Sequence, residues 1–195
     1  MTGSAPAFRS DWSATILPAP PLILPARNYI WPMRIAGEEE ALTRGALLLL
    51  VRPPVGGNFL ATCALGFRDP SMLNAVFSCP NPRHLCAVAG GYAYIADVAQ
   101  PETSTLLAMK PVVAVHAAPQ AELLLFIGFH TIAAWSANGL AWETARLSWE
   151  GLRITEIGEG SIRGFGWDLM SDKEVAFGVD LATGQHRGGA FAAKI

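Results

Sequence analysis

Apolar residues along this chain come in short runs of about six, each closed by Gly, Pro, Asn, Asp or Ser, a rhythm that predicts β-strands. The runs at 46 to 52 and 58 to 67 flank "PPVGG", where Pro53 and Pro54 stop a strand and Gly56 and Gly57 permit a reversal. In "HLCAVAGGYAYIADV" two runs flank Gly90 and Gly91, and Tyr92, Tyr94 and Ala96 alternate with Ala93, Ile95 and Asp97, the pattern of a strand with two different faces. Between these hairpins, 72 to 77 fits either a short strand or a single helical turn. "LLAMKPVVAVHAA" reads as a further extended run with Pro111 near its start. Runs at 122 to 127, 129 to 135 and 140 to 148 follow, the last two joined by Ser136-Ala137-Asn138-Gly139, the strongest turn signal in the chain. The final third keeps the same rhythm in "LRITEI", "SIRGFGWDL", "VAFGVDL" and a closing "AFAAKI", separated by polar turns.

These elements predict an all-β fold of antiparallel hairpins, one β domain over 1–195. Residues 1–27 form a Pro-rich extended lead-in. Prolines 18, 20, 21 and 25, together with Asp11, break the apolar stretch that a signal peptide would need. No apolar run approaches the ~20 residues of a membrane span, so the expectation is a soluble, cytoplasmic protein with no membrane partner. Aligning "YAYIADV", "HTIAAWS" and "VAFGVDL" so that Asp97, Trp135 and Asp180 correspond gives intervals of 38 and 45 residues. Over roughly 84–190 this pattern resembles propeller-type blade repeats, whose period is near ~40 residues. The resemblance implies an incomplete propeller-like assembly, and a sandwich-like one fits the same hairpins. Trp167-Asp168 is a WD dipeptide but lacks the accompanying Gly-His pattern.

Composition narrows the chemistry. The 195 residues carry a net charge of -2, with 14 Lys and Arg scattered along the chain, so no cationic face invites nucleic acid. Only 15% of residues are charged, while 19 Gly and 14 Pro favour short strands and turns. Three cysteines, Cys63, Cys79 and Cys86, read as buried thiols rather than a disulfide framework. Cys79, His84 and Cys86 lie close in "CPNPRHLC", but a structural zinc site needs four ligands and no second pair exists, so neither metal nor cofactor is expected. Nucleophile-elbow and phosphate-loop spacings are absent.

Two features remain as candidate sites. Trp135, Trp142 and Trp149 recur every seven residues, and the hairpin turn folds Trp142 back near Ala133. With Leu140 and Trp142 facing inward, Arg146 lies on the same face as a cation beside the Trp142 ring. Trp167 and Asp168 sit next to the acidic turn containing Asp172 and Glu174. Trp142, Arg146, Trp167 and Asp168 are therefore the expected ligand-binding residues. The favoured expectation is a non-catalytic binding or protein-interaction domain for an unidentified protein or small ligand, oligomeric state open. The alternative is a small carboxylate-dependent hydrolase of a sugar-like substrate, which requires Asp168 and Glu174 to converge beside Trp142 and Trp167.

Overall fold

A computed structural model describes residues 7–32 and 41–191, so the first six residues of the lead-in and the end of "AFAAKI" lie outside the described residues. The described chain is all-β: sixteen strands in four four-stranded sheets, with two short 3-10 turns at Ala41–Arg44 and Pro119–Ala121. Among the described residues none of these four sheets closes into a barrel, an arrangement that fits an incomplete propeller-like or sandwich-like assembly. Among the described residues no helix is long and apolar enough to cross a membrane. The chain divides into two compact units, one ending at Pro111 and the other beginning at Val112.

In the first unit, β1 (Ser13–Leu17), β2 (Arg27–Trp31), β3 (Ala46–Arg52) and β4 (Phe59–Ala64) assemble in the order β1-β3-β4-β2. Part of the lead-in is thus a strand, because β1 pairs antiparallel with β3. The second sheet is a meander of consecutive strands, β5 (Ala75–Ser78), β6 (His84–Ala89), β7 (Tyr92–Asp97) and β8 (Ser104–Leu106). The ambiguous segment around 72 to 77 therefore contributes a strand, not a helical turn. Gly90 and Gly91 join β6 to β7 with positive φ, and a Cβ at Gly90 would stand 2.5 Å from the Phe67 carbonyl oxygen, so glycine is required there. Leu49, Phe59 and Cys63 share one core with Leu85, Ala87 and Tyr94 of the other sheet. Polar ring atoms are satisfied across it: Tyr94 donates its hydroxyl to the Ala64 carbonyl at 2.7 Å, and Trp31 Nε1 donates to the Pro101 carbonyl at 2.7 Å.

The second unit holds two more meanders. One is β9 (Ala114–Ala118), β10 (Leu123–Ile127), β11 (Ile132–Ser136) and β12 (Gly139–Glu143); the other is β13 (Leu152–Ile157), β14 (Ser161–Asp168), β15 (Lys173–Asp180) and β16 (His186–Gly188). Leu125, Ile127 and Trp142 pack with Leu147, Ile162 and Phe177 in their shared core. The expected run from 140 to 148 stops as strand at Glu143.

Three meanders of four consecutive strands match the blade-scale repeat, with one change of register. The third strands β7, β11 and β15 end at Asp97, Ser136 and Asp180, so Ser136 rather than Trp135 occupies the repeated position. Each of these side chains accepts a backbone N–H of the following turn: Ala99 on Asp97, Asn138 on Ser136 and Thr183 on Asp180. A short polar side chain capping the turn is the physical content of the repeat.

Candidate functional site

Trp142 is a core residue. It is 9% exposed, its Nε1 donates to the Leu181 carbonyl at 3.0 Å, and a Cβ at Gly184 would meet its ring at 2.7 Å. The expected pairing is shifted by a bulge between Ala134 and Trp135: Trp135 faces Leu140, but Trp142 faces Ala134 and Glu143 faces Ala133. The bulge breaks the two-residue alternation, so Leu140 points outward at 52% exposure while Trp142 is buried. Arg146 consequently lies over Trp149 and Phe191, 4.9 Å from each ring, and not over Trp142. Its Nε and Nη2 donate to the Ser148 and Trp149 carbonyls, both at 3.0 Å, which commits the guanidinium to its own loop.

Asp168 and Trp167 are adjacent in sequence and therefore face opposite sides of β14. Asp168 is buried, and its carboxylate fixes the following turn by accepting the Met170 N–H at 3.2 Å and the Ser171 hydroxyl at 2.6 Å. Glu174 pairs across from Trp167 on the outward side. The two carboxylates required for a hydrolytic pair thus stand on opposite faces of one sheet and do not converge. Cys79 and Cys86 are buried free thiols, and burial pushes the Cys79 thiol up to about 12. His84 is half-buried, its basicity lowered by burial and partly restored by the Asp97 carboxylate. No group of three His, Cys, Asp or Glu side chains among the described residues is placed to hold a metal.

The structure does gather a surface elsewhere, on the outward face of the last sheet. In "SIRGFGWD" the buried positions are Ile162, Gly164, Gly166 and Asp168, leaving Arg163, Phe165 and Trp167 to point outward. The glycines are sterically fixed: a Cβ at Gly164 would stand 2.5 Å from the Arg153 carbonyl oxygen, and one at Gly166 would stand 2.6 Å from that of Leu147. With no side chain admissible at these two inner positions, the aromatic residues of this strand occupy the outer side.

Phe165 and Trp167 form one wall of an open groove of about 370 Å³ whose other walls come from Glu150, Leu152, Arg153 and Glu174. Arg153 lies across from Phe165 in the register, with its guanidinium 4.5 Å from the ring centre. Its Nε donates to Glu174 Oε1 at 3.0 Å and its Nη2 donates to Oε2, a two-point pair bridging β13 and β15. These hydrogen bonds hold the Glu174 carboxyl below its usual range and raise the guanidinium further. From behind, the fully buried Ser148 Oγ accepts the Trp167 N–H at 2.8 Å, and Trp149 N–H donates to the Trp167 carbonyl at 2.9 Å.

Of the four expected residues, then, only Trp167 lies on this face; its neighbours Arg153, Phe165 and Glu174 are not among them. The signal for this grouping is the strand's phase, since glycines recurring in step with Ile162 mark the inner side and place the rings outside. A second groove of about 490 Å³ runs between the edge strands β9 and β13, but Val113, Ile127, Leu152, Ile154 and Ile157 make it mainly apolar, with His116 at its border. No protein-family model, curated protein or solved structure matches the chain.

Proposed function

We propose that this chain is a non-catalytic protein-interaction domain that binds a partner through the outward face of β13–β16. The observation that carries the reading is the groove of Phe165 and Trp167 with Arg153 stacked on one ring and braced by Glu174. Aromatic and Arg side chains are the residue types enriched where proteins bind one another, and side chains already held in place lose little freedom on binding. The groove is open and shallow, whereas small-molecule sites enclose most of their ligand, so an extended protein segment suits it better. Three unpaired buried thiols also support a reducing, cytoplasmic location.

Selection of random dodecapeptides by phage display against the whole immobilised chain tests the reading. Clones should enrich, and their affinity should fall by at least about ten-fold on Trp167→Ala or Phe165→Ala, as expected for central aromatic anchors. Failure to enrich, or clones that bind both variants like the wild type, would overturn it.

A further inference from the structure

The same outward face continues past Phe165 into a second, polar groove of about 590 Å³, bordered by Ser161, Arg163, Gly178, Asp180, His186 and Arg187. Its floor follows from the register. Arg163 on β14 faces Gly178 on β15, and Gly178 faces Arg187 on β16, so two arginines stand on either side of one glycine in a row across three strands. Two strand spacings of ~4.8 Å put their Cα atoms about 10 Å apart, within reach of one small ion held between the guanidinium groups.

Gly178 is the informative residue. Unlike Gly164 and Gly166, a Cβ there would meet nothing within 4 Å, and its φ is not positive. Neither packing nor backbone conformation requires glycine at this position, and a glycine in a strand interior weakens the strand. What its lack of a side chain provides is a bare backbone floor between two long cationic arms. Among the described residues, the exposed Arg187 side chain makes no hydrogen bond or ion pair, and Arg163 has one ion pair, Nη1 to Glu156 at 3.4 Å. The Asp180 carboxylate also borders the groove but is turned onto its own loop, where it accepts the Thr183 N–H at 2.8 Å and hydroxyl at 2.7 Å.

We infer that Arg163, Gly178 and Arg187 form an oxyanion site, which receives a carboxylate or phosphate group carried by the ligand that lies on this face. The inference rests on the reading of the outward face as the binding surface. It adds that the ligand is anionic at one end and apolar or aromatic at the other, where Phe165 and Trp167 wait. Planar guanidinium groups donate paired N–H bonds to such oxygens, and two of them flanking a floor without a side chain leave room for direct contact.

The test is titration of the full chain at low ionic strength with inorganic phosphate and, separately, acetate, read by the Nε–H signals of its arginines in NMR. Saturable shifts confined to Arg163 and Arg187 are expected, and the tighter of the two anions identifies the group received. Gly178→Val retains both charges, suits an extended strand, and fills the floor; it should weaken binding at least about five-fold, and Arg187→Gln about ten-fold. Shifts that do not saturate, that spread equally over Arg52 and Arg68, or that survive Gly178→Val would overturn the inference. Anion binding here without selectable peptides refutes only the protein-interaction reading; selectable peptides without anion binding refute only the oxyanion site.

Discussion

Replacing Trp142 with Phe separates a core role from a ligand-platform role in one measurement. The ring is buried against Gly184 and its Nε1 supplies the hydrogen bond to the Leu181 carbonyl, itself in a residue only 2% exposed. Phe removes that donor and leaves the carbonyl without its ring partner, which costs about 1–3 kcal/mol. The smaller ring also leaves a void next to Gly184 that adds about 1 kcal/mol. The sum is about 3 kcal/mol, and for a chain of this size each kcal/mol moves the melting temperature by roughly 2–4 °C, so a drop of about 6–12 °C is expected. Thermal unfolding followed by circular dichroism, with urea titration in parallel, reads the change. Trp167→Phe is the internal comparison: the Trp167 side chain is half-buried on the outward face, and the substitution should shift stability by no more than about 0.5 kcal/mol. A loss below about 1 kcal/mol for Trp142→Phe, or a larger loss for Trp167→Phe, would refute the assignment of the first ring to the core and the second to the surface.

Two further outcomes follow from the titration behaviour of named groups. Cys63, Cys79 and Cys86 are buried, and desolvation raises all three thiols, so the reactive thiolate is scarce in the native chain. Ellman's reagent at pH 8 should leave the folded protein unmodified and titrate all three thiols in urea; rapid native reaction of any of them would contradict the burial. Glu174 has a folded pKa below its unfolded value because Arg153 donates to it, so the pair is fully formed above the unfolded pKa and is lost as pH falls through the folded one. The Arg153 Nε–H signal should therefore hold its native position through the ordinary glutamate range and move only at more acidic pH. A midpoint at the ordinary glutamate value, or an unchanged signal in Glu174→Gln, would show that the pair does not form in solution.

How far the chain can be read in advance depends on whether its determinants are local. The Gly90-Gly91 and Asn138-Gly139 reversals specify backbone conformations within a few residues, and both hairpins are present where the sequence places them. The parallel pairing of β2 with β4 has no such local determinant: it joins strands that flank β3 in the sequence, and it comes with burial of Trp31 in one core with Leu49, Phe59 and Tyr94. The bulge at Ala134 and Trp135 is likewise silent in the sequence, yet it separates Leu140 from Trp142 and removes Arg146 from the ring beside which strict alternation places it.

The outward face of β14 is only partly legible in the sequence, for a different reason. Large aromatic side chains usually mark the buried phase of a strand, and in "SIRGFGWD" that habit hides Phe165 beside the expected ligand-binding residue Trp167. The inner phase instead belongs to glycines whose missing Cβ atoms admit the Arg153 and Leu147 carbonyls and the Phe177 ring. Close backbone approach on one side therefore displaces the strand's bulk to the other. Along that displaced face the side chains change from rings beside Arg153 to arginines on either side of Gly178, the one glycine of the row that neither packing nor backbone requires. Inner glycines explained by contact and an outer glycine explained by none give this strand a face with two chemically different ends, one aromatic and one cationic, and that difference is what the proposed binding role rests on.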